Sequence, residues 1–397
     1  MEFMTRERAH KGCLTVTIRL YNQDPTLLSF TATVVSCEAR DGGYDVVLDR
    51  TAFFPEGGGQ PADQGTLGGA NVLDAHERGG EVHHYTDAPL PVGETVQGHV
   101  DGARRLTMSQ QHSGEHIFSG LVHKLYGYDN VGFHIGSEAV TMDFNGPLSE
   151  EDARRVEWLA NEAIWANLPV QTLLPDKDAL AAMDYRSKKA IDGDVRIVRI
   201  EGVDTCACCG THVRRTGSIG QIKLLGVMRY KGGVRVSILC GGRALDEENM
   251  QLAQVRRAAT ALSSQKHEVA DAVEKLLAER DALRAANDAL GMRVFDMLAQ
   301  RESGEAVRVV ACDVLPASQV RKAAGKLCEG AQLALVLVPR DGGWSFALAS
   351  NVRDVRPVAK ALCEAFSGRG GGPKDMAQGV LTAGGEEEIR AKLKELA

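Results

Sequence analysis

The run Gln110-Gln111-His112-Ser113-Gly114-Glu115-His116 sets two imidazoles four residues apart. On a helix such positions share one face, so both rings can reach one ion. They make half of a metal site. The other half has to come from elsewhere in the chain. Far downstream stands Cys206-Ala207-Cys208-Cys209-Gly210-Thr211-His212. Either group alone is a weak signal, since helix histidines often face solvent and cysteines often fill small core gaps. Two His/Cys groups in one chain favour a metal centre, and any fold that builds it must bring both segments together.

A chain of 397 residues has room for several domains at about 100–200 residues each. Its apolar fraction of 44% and charged fraction of 25% are those of an ordinary soluble protein. No apolar run nears the ~18–20 residues of a membrane span, so no membrane partner is expected. Residues 1–11 carry charges without an apolar stretch and a small-residue cleavage site, unlike a secretory signal. Nine cysteines, three of them bunched, suit reduced thiols and metal ligation better than a disulfide framework. A cytoplasmic location is expected. The net charge of -7 argues against nucleic-acid binding by the whole surface. Between residues 205 and 245, however, Arg214, Arg215, Lys223, Arg229, Lys231, Arg235 and Arg243 occur with no acidic residue. This block suits an anionic substrate, or else a solvated strand face.

Apolar and polar residues alternate over 14–36 (Leu14, Val16, Ile18, Leu20, then Phe30, Ala32, Val34), the mark of half-buried strands. Gly42-Gly43 reads as a hairpin turn. In the segment 51–65, Gly57-Gly58-Gly59-Gln60 sits between Pro55 and Pro61, which excludes a helix or central strand. Such a loop lets a ligand or another backbone come close, or else it is a tight barrel corner. Short strands continue to about residue 100, so residues 14–100 read as a small β-barrel. Residues 101–243 read as α+β. They comprise a helix over 107–126 with an apolar stripe (Ile117, Phe118, Leu121, Val122, Leu125) stopped by Gly127, and a strand over 131–144. A second helix over 149–167 and strands over 196–200, 219–224 and 234–239 complete them. His123 reads as an ordinary helix histidine.

Residues 244–303 differ in character. Val255, Leu262, Val269, Leu276, Leu283, Leu290 and Met297 recur every seven residues, the pattern of a long helix or helical hairpin with one apolar seam. A second seam is interrupted by Lys266, Arg280 and Asn287, so a parallel coiled coil is not specified. The helices can fold back on each other, or pair two copies as a homodimer. Residues 304–397 read as an α/β domain, with strands over 307–311 and 333–338 and helices over 317–329 and 355–367. Its glycine-rich segment 368–379 offers amides and the cations Arg369 and Lys374 to a phosphate, or is a flexible loop. The fold class is α+β throughout: barrel, α+β domain, long helical segment and C-terminal α/β domain.

Four segments resemble, in order, the alanyl-tRNA editing proteins of long form, free-standing relatives of the editing domain of alanyl-tRNA synthetase. They are the proline–glycine loop 51–65, the His112–x–x–x–His116 pair, the run Cys-x-x-x-His-Val-x-x-Thr-Gly-x-Ile-Gly over 208–220, and the segment 368–379. The last resembles the C-terminal domain shared with DHH-type phosphoesterases and the synthetase tail. No Asp-His-His motif is present, so this part is expected to bind and not to cut.

The resemblance implies one zinc ion held by His112, His116, Cys208 and His212. Cys206 and Cys209 fall outside the family spacing, and Cys209 stands where relatives carry glycine. It implies hydrolysis of the ester joining a wrong amino acid, serine or glycine, to the alanine tRNA. An alanine pocket cannot exclude smaller glycine and rejects serine poorly, so a second site must remove the product. Zinc then either orients the substrate or polarises water. Glu115 is the candidate for placing or deprotonating water, against a solvated helix carboxylate. His134 resembles a polar editing-site position, against an ordinary strand histidine. Gln60 is expected to contact the amino acid, with Thr51 beside it. Arg214, Arg215, Lys223, Arg229, Lys231 and Arg235 are expected at the acceptor end of the tRNA, and Arg369 and Lys374 at a second part of it. Two rival functions fit the same motifs: a non-catalytic RNA-binding protein with a structural zinc, and a metal-dependent hydrolase of a small molecule.

Overall fold

The computed structural model describes residues 16–187 and 195–397. Leu14 and the charged start of the chain lie outside them. The fold is mixed α+β with several separate sheets. Two compact units divide between Gln254 and Val255, inside the helix Gly241–Leu262.

In the first unit, six strands close on themselves in the order Ser29–Arg40, Gly43–Leu48, Glu81–Thr86, Ala70–Arg78, Gly65–Leu67 and Thr95–Val100. The alternation of Phe30, Ala32 and Val34 turns these side chains inward, where they meet Val46, Leu48, Phe53, Leu67 and Val72. The earlier part of the alternating run is not one strand. Only Ile18–Arg19 is extended, followed by the helical turn Leu20–Gln23. Pro25 forbids the helical region to Asp24, whose φ of -138° and ψ of 100° end that turn.

Inside the barrel His84 is fully buried. Its Nδ1–H donates to the Val46 carbonyl (3.0 Å), and Nε2 accepts from the Thr51 hydroxyl (2.8 Å), which itself accepts from the Phe53 amide (3.1 Å). Thr51, expected at the reaction centre, is thus committed to the barrel core. Burial pushes His84 from 6.5 down to about 4. Its folded pKa lies below its unfolded one, so its contribution to stability is complete above pH 6.5 and is lost as the pH falls towards 4. The loss is about 1.4 kcal/mol per pH unit. Urea unfolding of the metal-free protein at pH 7 and pH 4.5 is expected to cost wild type ~2–3 kcal/mol more than His84→Gln. Equal losses in the two proteins would remove His84 from the account.

The helix Gly102–Tyr126 follows the barrel. It starts earlier than the apolar stripe suggests, because the Asp101 carboxylate accepts from the Ala103 and Arg104 amides (2.9 and 3.1 Å). Gly127 ends it at φ 71°. Beneath it lies an antiparallel sheet in the order Ile222–Tyr230, Gly233–Cys240, Val140–Phe144, Asn130–Ile135. The expected strand over 131–144 is therefore a hairpin, turned by the Gly136 amide on the Ala139 carbonyl (2.9 Å). Ile219 belongs to a short 3-10 turn, Thr216–Ile219, and not to a strand. Helix Glu150–Trp165, capped by Ser149, packs beside the first helix, and Ile117, Phe118, Val122, Met142, Val156 and Ile238 fill the core. A three-stranded sheet, Val170–Leu173, Ile197–Ile200 and Asp204–Ala207, delivers the chain to Cys208.

The glycine loop is fastened to the histidine helix by a buried ion pair. Arg105 Nε donates to Asp63 at 3.0 and 3.1 Å, and its outer nitrogens donate to the Pro25 carbonyl (2.7 Å) and the Ala52 carbonyl (2.6 Å). Asp63 also takes the Phe54 amide (2.7 Å). With both carboxylate oxygens and all three guanidinium nitrogens engaged, the pair fixes the loop to the first turn of the helix.

In the second unit the heptad pattern forms a long helix, Val269–Gln300, separated from the helix before it by a break at 263–268 where Ser263 adopts φ 52°. Seam residues Leu276, Leu283, Leu290 and Met297 are exposed, while Phe295 is buried in the C-terminal core. The C-terminal sheet runs Val307–Ala311, Leu333–Arg340, Gly343–Ala349, Met376–Leu381, Arg369–Gly371. The segment 368–379 is therefore a hairpin and not a free loop. A Cβ on Gly379 would lie 2.3 Å from the Arg369 carbonyl, and one on Gly370 2.6 Å from the Gln378 carbonyl. Close strand approach accounts for these glycines. Among the described residues, no helix is long and apolar enough to cross a membrane.

Candidate metal centre

The helix turns His112 and His116 onto one face, and the turn after Asp204–Ala207 brings Cys208 and His212 against it. One donor atom from each of the four lies within 4.8 Å of the others. An ion with bonds of about 2.0–2.3 Å holds tetrahedral ligand atoms roughly 3.3–3.6 Å apart. The Cys208 sulfur lies 3.4 Å from His112 Nε2 and 3.4 Å from His212 Nε2. Cys206 is not part of this set. It lies buried behind His116, next to Asp204, and Cys209 is exposed.

Each ring is held from behind at Nδ1. His112 Nδ1 donates to Gln60 Oε1 (2.7 Å), His116 Nδ1 to Asp204 Oδ2 (2.9 Å) and His212 Nδ1 to the Ser113 hydroxyl (3.1 Å). The Gln60 and Asp204 oxygens can only accept, which sets the His112 and His116 tautomers, and with Ser113 accepting as well all three Nε2 atoms face one thiol. Three lone pairs and a sulfur have at most one proton to share. A cation resolves that crowding, and three imidazoles with one thiolate are a donor set suited to zinc-like ions.

The electrostatics point the same way. Burial would raise the Cys208 thiol, but the three surrounding imidazoles hold it well below its ordinary range. Burial pushes His212 down to about 3, with His112 adding to the effect. Two carboxylates are buried beside the cluster, Glu115 and Asp204. A dication with one thiolate carries a net single positive charge, which buried carboxylates offset.

The turn is built to fit the rings. A Cβ on Gly210 would fall 2.1 Å from His112 Cε1, so glycine alone lets the ring lie on the backbone. Arg196 Nη1 donates to the Cys208 and Gly210 carbonyls (2.8 and 2.9 Å). Gln60 bridges both halves: Oε1 serves His112 and the Thr211 amide (3.2 Å), while Nε2 donates to the Thr211 hydroxyl (2.9 Å). The Phe133 ring covers His112 at 4.9 Å.

The family model for the threonyl and alanyl tRNA synthetase second additional domain matches residues 195–237, which span the Cys208–His212 turn. That for the DHHA1 domain matches residues 305–397. The chain is 29% identical to the alanyl-tRNA editing protein Aarsd1 of Mus musculus, over 91% of this chain and 94% of that protein. It is 28% identical to the alanyl-tRNA editing protein AlaX-L of Pyrococcus horikoshii, over 95% of this chain and 98% of that one. It is 37% identical to the alanine–tRNA ligase of Natronomonas pharaonis, over 58% of this chain and 26% of the ligase. Along nearly its whole length the chain is similar to the alanyl-tRNA editing proteins.

The remaining expected residues divide. Glu115 is at the centre: it is fully buried, Oε1 accepts from Ser119 (2.7 Å) and Asn130 (2.6 Å), and Oε2 lies 3.9 Å from His116 Nε2. It is no solvated helix carboxylate. Gln60 is also present, with both ends of its amide bonded to His112 and Thr211. His134 is exposed on its strand, its neighbour Phe133 being the residue turned to His112.

The basic block is partly neutralised. Arg214 pairs with Asp24 (2.8 Å), Lys223 with Glu157 (3.3 Å) and Arg235 with Asp143 (2.6 Å). Arg215 bonds the Asn167 carbonyl and Arg243 the Gly136 and Ser137 carbonyls, whereas Arg229 and Lys231 are exposed near the hairpin tip. Sequence reasoning missed Asp204, Ser113, Asn130 and Arg196. Ser113 lay inside the histidine motif, and Asp204 two residues before the first cysteine, but no local pattern marks either as a partner.

Proposed function

We propose that the chain edits in trans, hydrolysing the ester that joins serine, and with it glycine, to the alanine tRNA, at a zinc ion held by His112, His116, Cys208 and His212. The observation that carries this is the convergence of three oriented Nε2 atoms and one thiolate in a chain similar to the alanyl-tRNA editing proteins. An ion at that place supplies fixed positive charge that orients the aminoacyl group or polarises its carbonyl.

The protein's own groups supply the rest. An aminoacyl ester is already reactive, so positioning and one proton acceptor suffice. Glu115 takes a proton from water as the water oxygen bonds the acyl carbon. The ester C–O bond breaks, and the proton passes to the departing ribose oxygen. Ser119 and Asn130 hold the carboxylate in place for this exchange. Arg214, Arg215, Arg229 and Lys231 lie on exposed surface and take the acceptor-end phosphates. Arg369 and Lys374 give the C-terminal hairpin its exposed cations. A groove of about 520 Å³ there, lined by Arg356, Lys360 and Arg369, suits a second stretch of tRNA.

Seryl-, glycyl- and alanyl-tRNA of the alanine acceptor, incubated separately with the protein, test this. Serine and glycine are expected to be released well above the no-enzyme rate and alanine to be spared. Binding of all three without release would make the zinc structural and the protein an RNA-binding module.

A further inference from the structure

His116 differs from the other two imidazoles in what stands behind it. Gln60 and Ser113 are neutral, whereas Asp204 is a carboxylate, and its second oxygen is itself held by Arg186 Nε (2.8 Å). Arg186 is fixed by its own backbone, its amide on the Thr205 carbonyl (2.9 Å) and its carbonyl on the Ala207 amide (2.9 Å). The strand bearing Asp204 can reach the helix only because Gly120, one turn beyond His116, has no side chain. A Cβ there would lie 2.6 Å from Asp204 Cβ and 2.6 Å from the Val203 carbonyl. Glycine inside a helix costs stability relative to alanine, and what this one supplies in return is the close approach. His116, Asp204 and Cys206 also lie close enough to suggest a second metal site. The guanidinium on Asp204 already occupies the place of a cation there, which leaves the carboxylate to serve the ring.

We propose that Asp204, Arg186 and Gly120 are a positioning unit for the metal centre. Asp204 fixes the tautomer and plane of His116 and makes it the strongest nitrogen donor of the three. Arg186 holds the far oxygen so that the near one stays on Nδ1, and Gly120 gives the room. The inference rests on the four-ligand reading of the site, and it is tested by metal binding in the absence of tRNA.

Full-length metal-free protein is titrated with Zn2+ against a chromophoric chelator, and with Co2+ to read the donor set from its absorption spectrum. Asp204→Asn is expected to weaken affinity about 10–100-fold, the usual effect of losing such a partner, with the Co2+ spectrum still reporting one thiolate. Arg186→Gln weakens it severalfold. The double variant is no weaker than Asp204→Asn, because Arg186 acts through Asp204. Gly120→Ala, which should firm the helix, also weakens binding. An Asp204→Asn affinity within about twofold of wild type, or additive losses in the double variant, overturns the proposal. Should Asp204→Asn fail to fold, unchanged affinity in both Arg186→Gln and Gly120→Ala overturns it as well. Failure of wild type to bind either ion would defeat the metal-centre reading itself, a separate outcome.

Discussion

Replacing Cys208 and His212 together by alanine is expected to reduce bound metal from one ion per chain to none and to bring deacylation down to the no-enzyme rate. Both atoms removed would be corners of the tetrahedron, 3.4 Å apart from each other and, for the sulfur, 3.4 Å from His112. The two imidazoles that remain share one helix face and supply only half a coordination shell. The loss extends to stability. A ligand that binds only the folded state stabilises it by about 4 kcal/mol at a free concentration ~1,000 times its Kd. Wild type should therefore gain that much on adding Zn2+ and the double variant nothing, measured as the urea midpoint with and without the ion. Metal content by elemental analysis separates the thiols. One ion retained per chain would move sulfur ligation to Cys206 or Cys209. Cys206 can reach His116 and Asp204, but Arg186 stands on that side, so retention there is not expected.

What the sequence made legible was local. His112 and His116 follow from helix periodicity, and Cys208 and His212 from a run of known spacing. Caps and turns such as Gly127 and Gly42-Gly43 carry their own chemistry. What it hid was long-range polar pairing. Gln60 and His134 were both expected to meet the substrate. Gln60 spans 151 residues to Thr211, and nothing near it in sequence announces that bond. His134 depended on where a hairpin turns, since a shift of one residue exchanges the two faces of a strand. Phe133 holds the inward place. The basic block read as free charge because its partners, Asp24, Asp143 and Glu157, lie elsewhere in the chain. The seven-residue seam was visible, but the break at Ser263 was not, because a single left-handed residue leaves the apolar period untouched.

Glu115→Gln is expected to keep one metal ion per chain and to lower single-turnover release of serine by about 10²–10⁴-fold, the range for losing a positioned proton acceptor. The substitution keeps the side chain's size in a site where Glu115 is 1% exposed, and glutamine retains an oxygen for Ser119 and Asn130. What it removes is the negative charge and the proton-accepting oxygen 3.9 Å from His116 Nε2. The two functions available to a buried carboxylate predict different losses. If Glu115 accepts the proton, metal affinity moves little and the rate at saturating metal falls. If it only offsets the charge of the ion, affinity falls and the rate per bound ion is unchanged. Measuring release at saturating Zn2+ alongside Zn2+ affinity tells them apart in one protein. A rate at saturating metal within a few-fold of wild type would end the case for Glu115 as the acceptor and leave orientation at the metal centre to account for the hydrolysis.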